Sequence, residues 1–384
     1  LTLAYWLKHW GFSPTIVEKR PDLNDRGYGI DFYGSGFDVA EKMGLVPTLR
    51  ARAAQYPIKQ VVWIDNRGRV RATLDIEKFR AVLHQRYFTL MRGDIETALY
   101  QSVRDSVPVR FGASISQLDS QADRVNVTLS DGTRAAYDLV IGADGIHSQV
   151  RSLLWGDEKQ FSRFLGFYVA CSVIDNFFDQ PQTVFGHFEP NVQALVYPID
   201  GNKLATFFGF RSEPLDVHSR AACLEVLERV LGRCAWVIPQ LLESTKTANE
   251  FLFDAVAQIE LERWHMGRVA LAGDACQCLT LLAGQGASMG MAGAYMLADE
   301  LNNAAGDYQV AFAAYQQALK PEIERRQRDA RGLSGTFIPR NNFEIALSHF
   351  LFNASTCLAS APCSPSKLAP RVSLSNWASQ SQIA

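Results

Sequence analysis

One stretch limits what this chain can fold into. From Gly267 to Leu301 the sequence reads GRVALAGDACQCLTLLAGQGASMGMAGAYMLADEL. Val269-Ala270-Leu271-Ala272 is a short apolar strand, and Gly273-Asp274 sets an acid on a glycine at its end. A loop closes in the small-residue run Ala283-Gly284-Gln285-Gly286-Ala287, and an Ala- and Met-rich helical pattern follows. Together these make a place for a polyol and an anion. The carboxylate accepts hydrogen bonds from hydroxyls, and the unpaired N–H groups of the helix start face negative charge. Glycines let a large planar ligand approach the backbone. Taken alone, the stretch fits any polyol phosphate.

The chain opens with apolar residues at helical spacing (Leu1, Leu3, Ala4, Trp6, Leu7, Trp10), and Gly11 supplies a stop. Pro14 precedes the strand Thr15-Ile16-Val17, which ends at Glu18-Lys19-Arg20. A helix and then a strand tipped with an acid form the second half of a dinucleotide-binding βαβ unit, where the acid holds ribose hydroxyls. An acid that merely ends a surface strand is the plainer alternative. Gly27, Gly29, Gly34 and Gly36 imply close approach to a ligand, a tight crossover, or an ordinary loop before a helix at about Phe37–Met43. Gln60–Ile64 and Val70–Leu74 alternate around Asn66-Arg67-Gly68, the pattern of a hairpin that joins a sheet away from the parallel one. Leu90 to Asp94 opens a helix that Gly93 or Asp94 can cap. Arg92, just before it, is placed to aim a guanidinium at a phosphate or ring carbonyl, or to be a solvated arginine.

Pro108–Phe111 and Val125–Leu129 read as strands, with a hairpin turn at Asp131-Gly132. Asp138 to Ala143 is a buried, parallel-type strand. It runs into Asp144-Gly145, again at the carboxyl end where open α/β sheets bind ligands, and Ser148 can cap the short helix carrying Arg151. From about Phe161 to Glu262 the strands turn aromatic and alternating (Gly166–Ile174, Thr183–Phe188, Val192–Tyr197, Lys203–Phe210), with a turn at Asp200-Gly201-Asn202. That pattern implies an antiparallel sheet with one face on a cleft. His187, Tyr197 and Arg211 are its candidate substrate contacts, each with a structural role as the alternative. Leu224–Val230 and Ile238–Leu242 read as helical. Tyr308–Arg328 is an amphipathic helix whose Arg325, Arg326, Arg328 and Arg331 are expected on a solvated face. Asn341–Leu351 forms a last helix, and from Ser355 a Ser/Ala/Pro-rich tail reads as disordered.

Composition narrows the class. With 384 residues there is room for two domains. The 38 basic and 40 acidic residues nearly cancel, which speaks against a nucleic-acid partner. No apolar run reaches the roughly 18 residues of a spanning helix, and no signal peptide is visible. Seven scattered cysteines fit reduced thiols in a cytoplasmic enzyme. Cys276-x-Cys278 has no partner pair at ligand spacing, so no metal is expected.

Helix–strand–Glu18, Asp144-Gly145-x-x-Ser148-x-x-Arg151 and Gly273-Asp274-Ala275 together resemble the flavin-dependent aromatic monooxygenases. This is the para-hydroxybenzoate hydroxylase-like family, which includes tetracycline-inactivating and polyketide-hydroxylating members. The resemblance covers roughly residues 1 to 330. It implies an α/β fold: a Rossmann-like FAD-binding domain (1–160 and 263–330) with an antiparallel-sheet substrate domain (161–262 and part of 50–80). Residues 331–384 would form the C-terminal helix and tail. By resemblance the Asp144-Gly145 motif serves FAD and NAD(P)H, and Asp274 binds the ribityl chain. Glu18, Lys19 and Arg20 lie at the ribose, and Arg92 contacts the flavin. Gly273 belongs to the same motif as Asp274, while Gly284, Gly286 and Ala287 approach the ring and pyrophosphate.

The implied chemistry is reduction of FAD by NAD(P)H, reaction with O₂ to a C4a-hydroperoxide, and hydroxylation of a small aromatic or polyketide-like substrate. No catalytic base is assignable, because sequence spacing does not establish reach. Relatives often have Pro where Leu279-Thr280 stands. A first strand and G-x-G-x-x-G turn do not precede the opening helix, which carries the expectation of a truncated form that binds FAD poorly. The alternatives are a flavin reductase or dehydrogenase of an isoprenoid or quinone-type compound, and an inactive ligand-binding relative.

Overall fold

A computed structural model describes residues 1–23, 28–178, 180–199, 201–280 and 284–358. Gly27, Asp200, Ala283 and the tail beyond Leu358 lie outside the described residues.

Short strands form the parallel elements, and Val269–Leu271 is buried throughout, as its unbroken hydrophobic run requires. Ile16–Glu18 pairs in parallel with Val109–Phe111. Val140–Gly142 pairs in parallel with Val269–Leu271, which also takes His265–Met266 antiparallel. Two helices later in the chain, Gly286–Asn303 and Tyr308–Phe337, pack on Val269–Leu271. Leu297, Phe312, Tyr315 and Leu319 join Val140, Val269 and Leu271 in one buried cluster. Both acids that follow these strands therefore stand at carboxyl ends, as expected.

The second layer is a seven-stranded sheet. Its order is Phe251–Ile259, Ser162–Asp175, Lys203–Arg211, Val192–Ile199, Thr183–Glu189, Gln60–Ile64, Val70–Asp75. Side chains alternate across it. Ala170, Ala194, Phe208 and Phe210 pack on helices Arg220–Leu231 and Ile238–Thr247. Phe167, Val169, Cys171 and Phe207 line the other face, where Tyr28 of the first layer meets them. The hairpin before residue 80 joins this sheet, through a parallel pairing of Gln60–Ile64 with Thr183–Glu189.

A two-stranded ribbon lies between the layers. Gly29–Tyr33 runs antiparallel to Tyr87–Met91. Phe32, Phe88 and Leu90 point into a core with Phe37, Leu49 and Ile95. The alternate positions, Gly29, Asp31, Tyr33, Tyr87, Thr89 and Met91, form the opposite face. Met91 packs there against Tyr197 and Ala205 of the large sheet.

Several local expectations change. The helix expected to open near Leu90 begins at Arg92, because Tyr87–Met91 is a strand. Asp94 does not occupy the cap position. Its carboxylate accepts from the Met91 N–H at 3.0 Å from the third helical position. The long helix runs to Phe337, and its basic face is only partly solvated: Arg326 is 6% exposed, bonded to Glu322 and to Gln285. The last helix extends from Asn342 to Leu358, past the expected start of the tail at Ser355. Phe251–Ile259, an edge strand of the large sheet, carries Asp254 amid apolar residues and has no clean alternation to reveal it.

Of the clustered glycines, Gly36 marks a tight crossover. A Cβ there would lie 2.5 Å from Ser288 Cα, at the start of the helix Gly286–Asn303. Gly36→Ala is expected to lower the unfolding free energy by about 1–3 kcal/mol, the usual cost of overpacking. Chemical denaturation checks this, and an unchanged midpoint would mean the helices separate freely at this point.

Candidate functional site

Where the two layers meet, polar groups from several segments come together. Asp274 sits in the first turn of the short helix Asp274–Gln277, after Gly273, whose φ of 59° turns the chain at the strand end. The Asp274 side chain is open to solvent, yet surrounding protein pushes its carboxyl up, with Arg92 pulling it back. Arg92 is fixed through its backbone, its N–H donating to the Tyr28 carbonyl at 3.0 Å. Burial raises the Tyr28 phenol, Arg92 lowers it, and Cys171, Asp274 and Asp254 raise it further. Tyr28, Arg92, Asp274 and Asp254 are thus within electrostatic reach of one another.

The loop before Gly286 is clamped from both sides. Gln285 Nε2 donates to the Tyr33 hydroxyl at 3.2 Å, and its carbonyl accepts from the buried Arg326. Ser288 Oγ donates to the Tyr33 carbonyl at 2.8 Å. Gly284, with φ 59°, and Ala287 are exposed, and a Cβ on Gly284 or Gly286 would touch nothing within 4 Å. The helix start therefore presents open backbone.

Asp144 spends both oxygens on its own loop. Oδ1 accepts from Ser148 Oγ, and Oδ2 from the Val150 N–H at 2.9 Å. Ser148 caps the helix Gln149–Trp155 as expected, accepting from the Arg151 N–H at 2.9 Å. Gly145 takes φ 81° beside it. Arg151, fully buried, ties this loop to the other motif. Its guanidinium donates to the Ala275 carbonyl (2.8 Å), the Ile146 carbonyl (2.6 Å) and Glu158 (2.9 Å).

Glu18 ends its strand and accepts from the Arg20 N–H at 2.9 Å. Lys19 and Arg20 are exposed. The three expected substrate contacts separate. Tyr197 faces the ribbon, and its hydroxyl accepts from the Gly29 N–H at 2.6 Å. Arg211 lies at a strand end, donating to the Ile338 carbonyl at 2.8 Å and stacking over Phe167 at 4.5 Å. His187 is buried on the helix-covered face, between the Ile64 carbonyl (3.0 Å), Glu189 (3.2 Å) and the Trp236 ring. Pairing of His187 with Ala194 fixes that side, which the residue pattern alone did not distinguish.

His147 links the layers and went unnoticed in the sequence. Its Nδ1 lies 2.9 Å from Glu158, and its Nε2 lies 3.6 Å from Asp254 on the large sheet. The Asp254 carboxylate raises the imidazole most, burial opposes, Glu158 adds, and the pKa rises from 6.5 to about 9. A raised pKa stabilises the fold fully below pH 6.5, and that contribution is lost as pH climbs through about 9. The side chain is 65% exposed, so the effect is about 1 kcal/mol or less. Unfolding free energy should fall more steeply from pH 6.5 to 9.5 in the parent than in His147→Gln. Parallel pH curves would remove this link.

Carboxylates at parallel strand ends, a helix start and an adjoining, mostly antiparallel sheet fit the class of proteins that bind a nucleotide cofactor. Residues 1–308 match the family described as FAD binding domain. An uncharacterized protein of Mycobacterium tuberculosis (strain ATCC 25618 / H37Rv) is 36% identical over 335 residues, covering 84% of this chain and 88% of that one. A flavin-dependent monooxygenase of an unknown prokaryotic organism is 33% identical over 342 residues, covering 88% and 87%. The solved structure of the tetracycline destructase Tet(55) superposes with a TM-score of 0.81 at 29% identity, covering 94% of each chain. The chain belongs to the FAD-dependent aromatic monooxygenase family, and FAD is its cofactor.

Proposed function

We propose that this protein uses NAD(P)H and O₂ to hydroxylate an aromatic or polyketide-like small molecule in the cleft between its two layers. One observation carries the reading. Tyr28, beside Arg92 and Asp274, packs on the face of the large sheet that carries Phe167, Phe207 and Leu195.

The residues present fit a flavin nucleotide. Asp274 offers an accessible carboxylate to ribityl hydroxyls, and Glu18 offers one to the adenosine ribose. The open start of the helix Gly286–Asn303 suits the negative charge of a pyrophosphate or of a reduced ring. Arg92 supplies a further cation beside Asp274. FAD, when bound, supplies the electron transfer and oxygen activation. The chain positions the substrate, excludes water with the apolar sheet face, and holds the loops through Arg151 and Arg326.

The test is a flavin-loaded preparation offered hydroxylated polyaromatics, with tetracycline among them because a relative is named for it. Substrate-stimulated NADH or NADPH oxidation with ¹⁸O from ¹⁸O₂ in the product is expected. Stimulated oxidation that yields only peroxide, or reduction of substrate without oxygen, would overturn the reading.

A further inference from the structure

The ribbon carries a carboxylate that neither sequence motif accounts for. Asp31 lies on its cleft-facing side, opposite Thr89. The Tyr87 hydroxyl donates to Oδ1, and Thr89 Oγ1 donates to the Tyr87 oxygen at 3.2 Å. This chain of donors fixes the direction of the Tyr87 proton. Among the described residues, Oδ2 has no hydrogen-bond partner. The side chain is exposed to solvent, on the ribbon face whose Gly29 and Met91 meet Tyr197 of the large sheet. Tyr197, across the cleft on the large sheet, is within electrostatic reach.

We propose that Asp31 anchors the substrate by accepting a hydrogen bond from one of its hydroxyls, with Tyr87 holding the carboxylate in place. The inference rests on the reading that the cleft takes an aromatic substrate. An ionised carboxylate only accepts, so the anchor selects a phenol or enol over its methyl ether. A site built to bond a hydroxyl rejects the analogue that lacks it, because the acceptor shielded by the bound ligand is left unpaired. Hydrogen bonds to a charged group make that preference about tenfold to a hundredfold.

The groups facing Asp31 are Tyr87 and Thr89 of its partner strand, Arg80 of the helix Ile76–Val82 and Tyr197 of the large sheet. Burial raises the Asp31 carboxyl, and the Tyr87 bond and Arg80 lower it. Affinity for a phenol should therefore rise with pH as Asp31 ionises, above the usual aspartate range. Asp31→Asn removes that rise. Tyr87→Phe removes an influence that lowers the carboxyl, so it keeps the rise but moves it to higher pH.

The probes are 2-naphthol and 2-methoxynaphthalene, titrated into the flavin-loaded full chain between pH 4.5 and 8, with flavin absorbance as the readout. The parent is expected to prefer 2-naphthol by about tenfold or more, with affinity rising across the Asp31 titration. Asp31→Asn, whose amide carbonyl accepts without charge, should lose most of the preference and all of the pH dependence. A preference that survives unchanged in Asp31→Asn, or an unshifted pH profile in Tyr87→Phe, overturns the anchor and leaves the aromatic reading standing. Failure of the parent to bind either probe overturns both.

Discussion

Asp274→Ala is expected to emerge from purification colourless. If the carboxylate holds ribityl hydroxyls, its loss removes charge-assisted hydrogen bonds of about 1.5–3 kcal/mol each and weakens FAD binding by at least about a hundredfold. The same change should leave the flavin-free protein no less stable. Burial pushes the Asp274 carboxyl up, so the fold gains nothing from its charge, and only a bound ligand repays it. Flavin absorbance per mole of protein, beside denaturation of the flavin-free form, separates the two effects. Normal FAD content in the variant would sink the assignment.

Arg151→Ala should act the other way, on the fold before the cofactor. The guanidinium is fully buried and serves three acceptors, Ala275 and Ile146 carbonyls and the Glu158 carboxylate. Removing one partner of such a buried set costs about 3–5 kcal/mol, because the others are left unpaired. Among the described residues, Glu158 would then keep only His147 as a cationic partner. Arg151→Lys should recover little, since one ammonium cannot match a planar fork directed at three acceptors. Urea denaturation gives the measurement. A loss of unfolding free energy below about 0.5 kcal/mol, the range of neutral surface changes, would show that the two loops hold without this bridge.

The parts of the fold and site that were readable were local ones. A strand ending in an acid on glycine is written in five or six consecutive residues, so Asp144-Gly145 and Gly273-Asp274 were found at the correct strand ends. The alternating strands from 166 to 210 were visible for the same reason. What escaped was set by distant pairing. Asp31 and Tyr87 are 56 positions apart and meet only through the ribbon. His187 was a reasonable substrate contact until its register with Ala194 turned it to the helix-covered side, as a single-residue slip reverses every side chain. Arg326 sat among solvated arginines, and nothing local marked it as the one that reaches Gln285.

The parallel pair Val140–Gly142 and Val269–Leu271 also sets a clock on biosynthesis. The second strand leaves the ribosome only after the whole large sheet has been made. At about 5–20 residues per second, that interval is on the order of ten seconds. Throughout it, Val125, Val127, Leu129 and Val140 wait for the partners that will cover them. The nascent chain thus displays an uncovered apolar surface while the large sheet completes itself. The half-built cofactor domain, more than the finished enzyme, is where chaperone dependence and aggregation should concentrate.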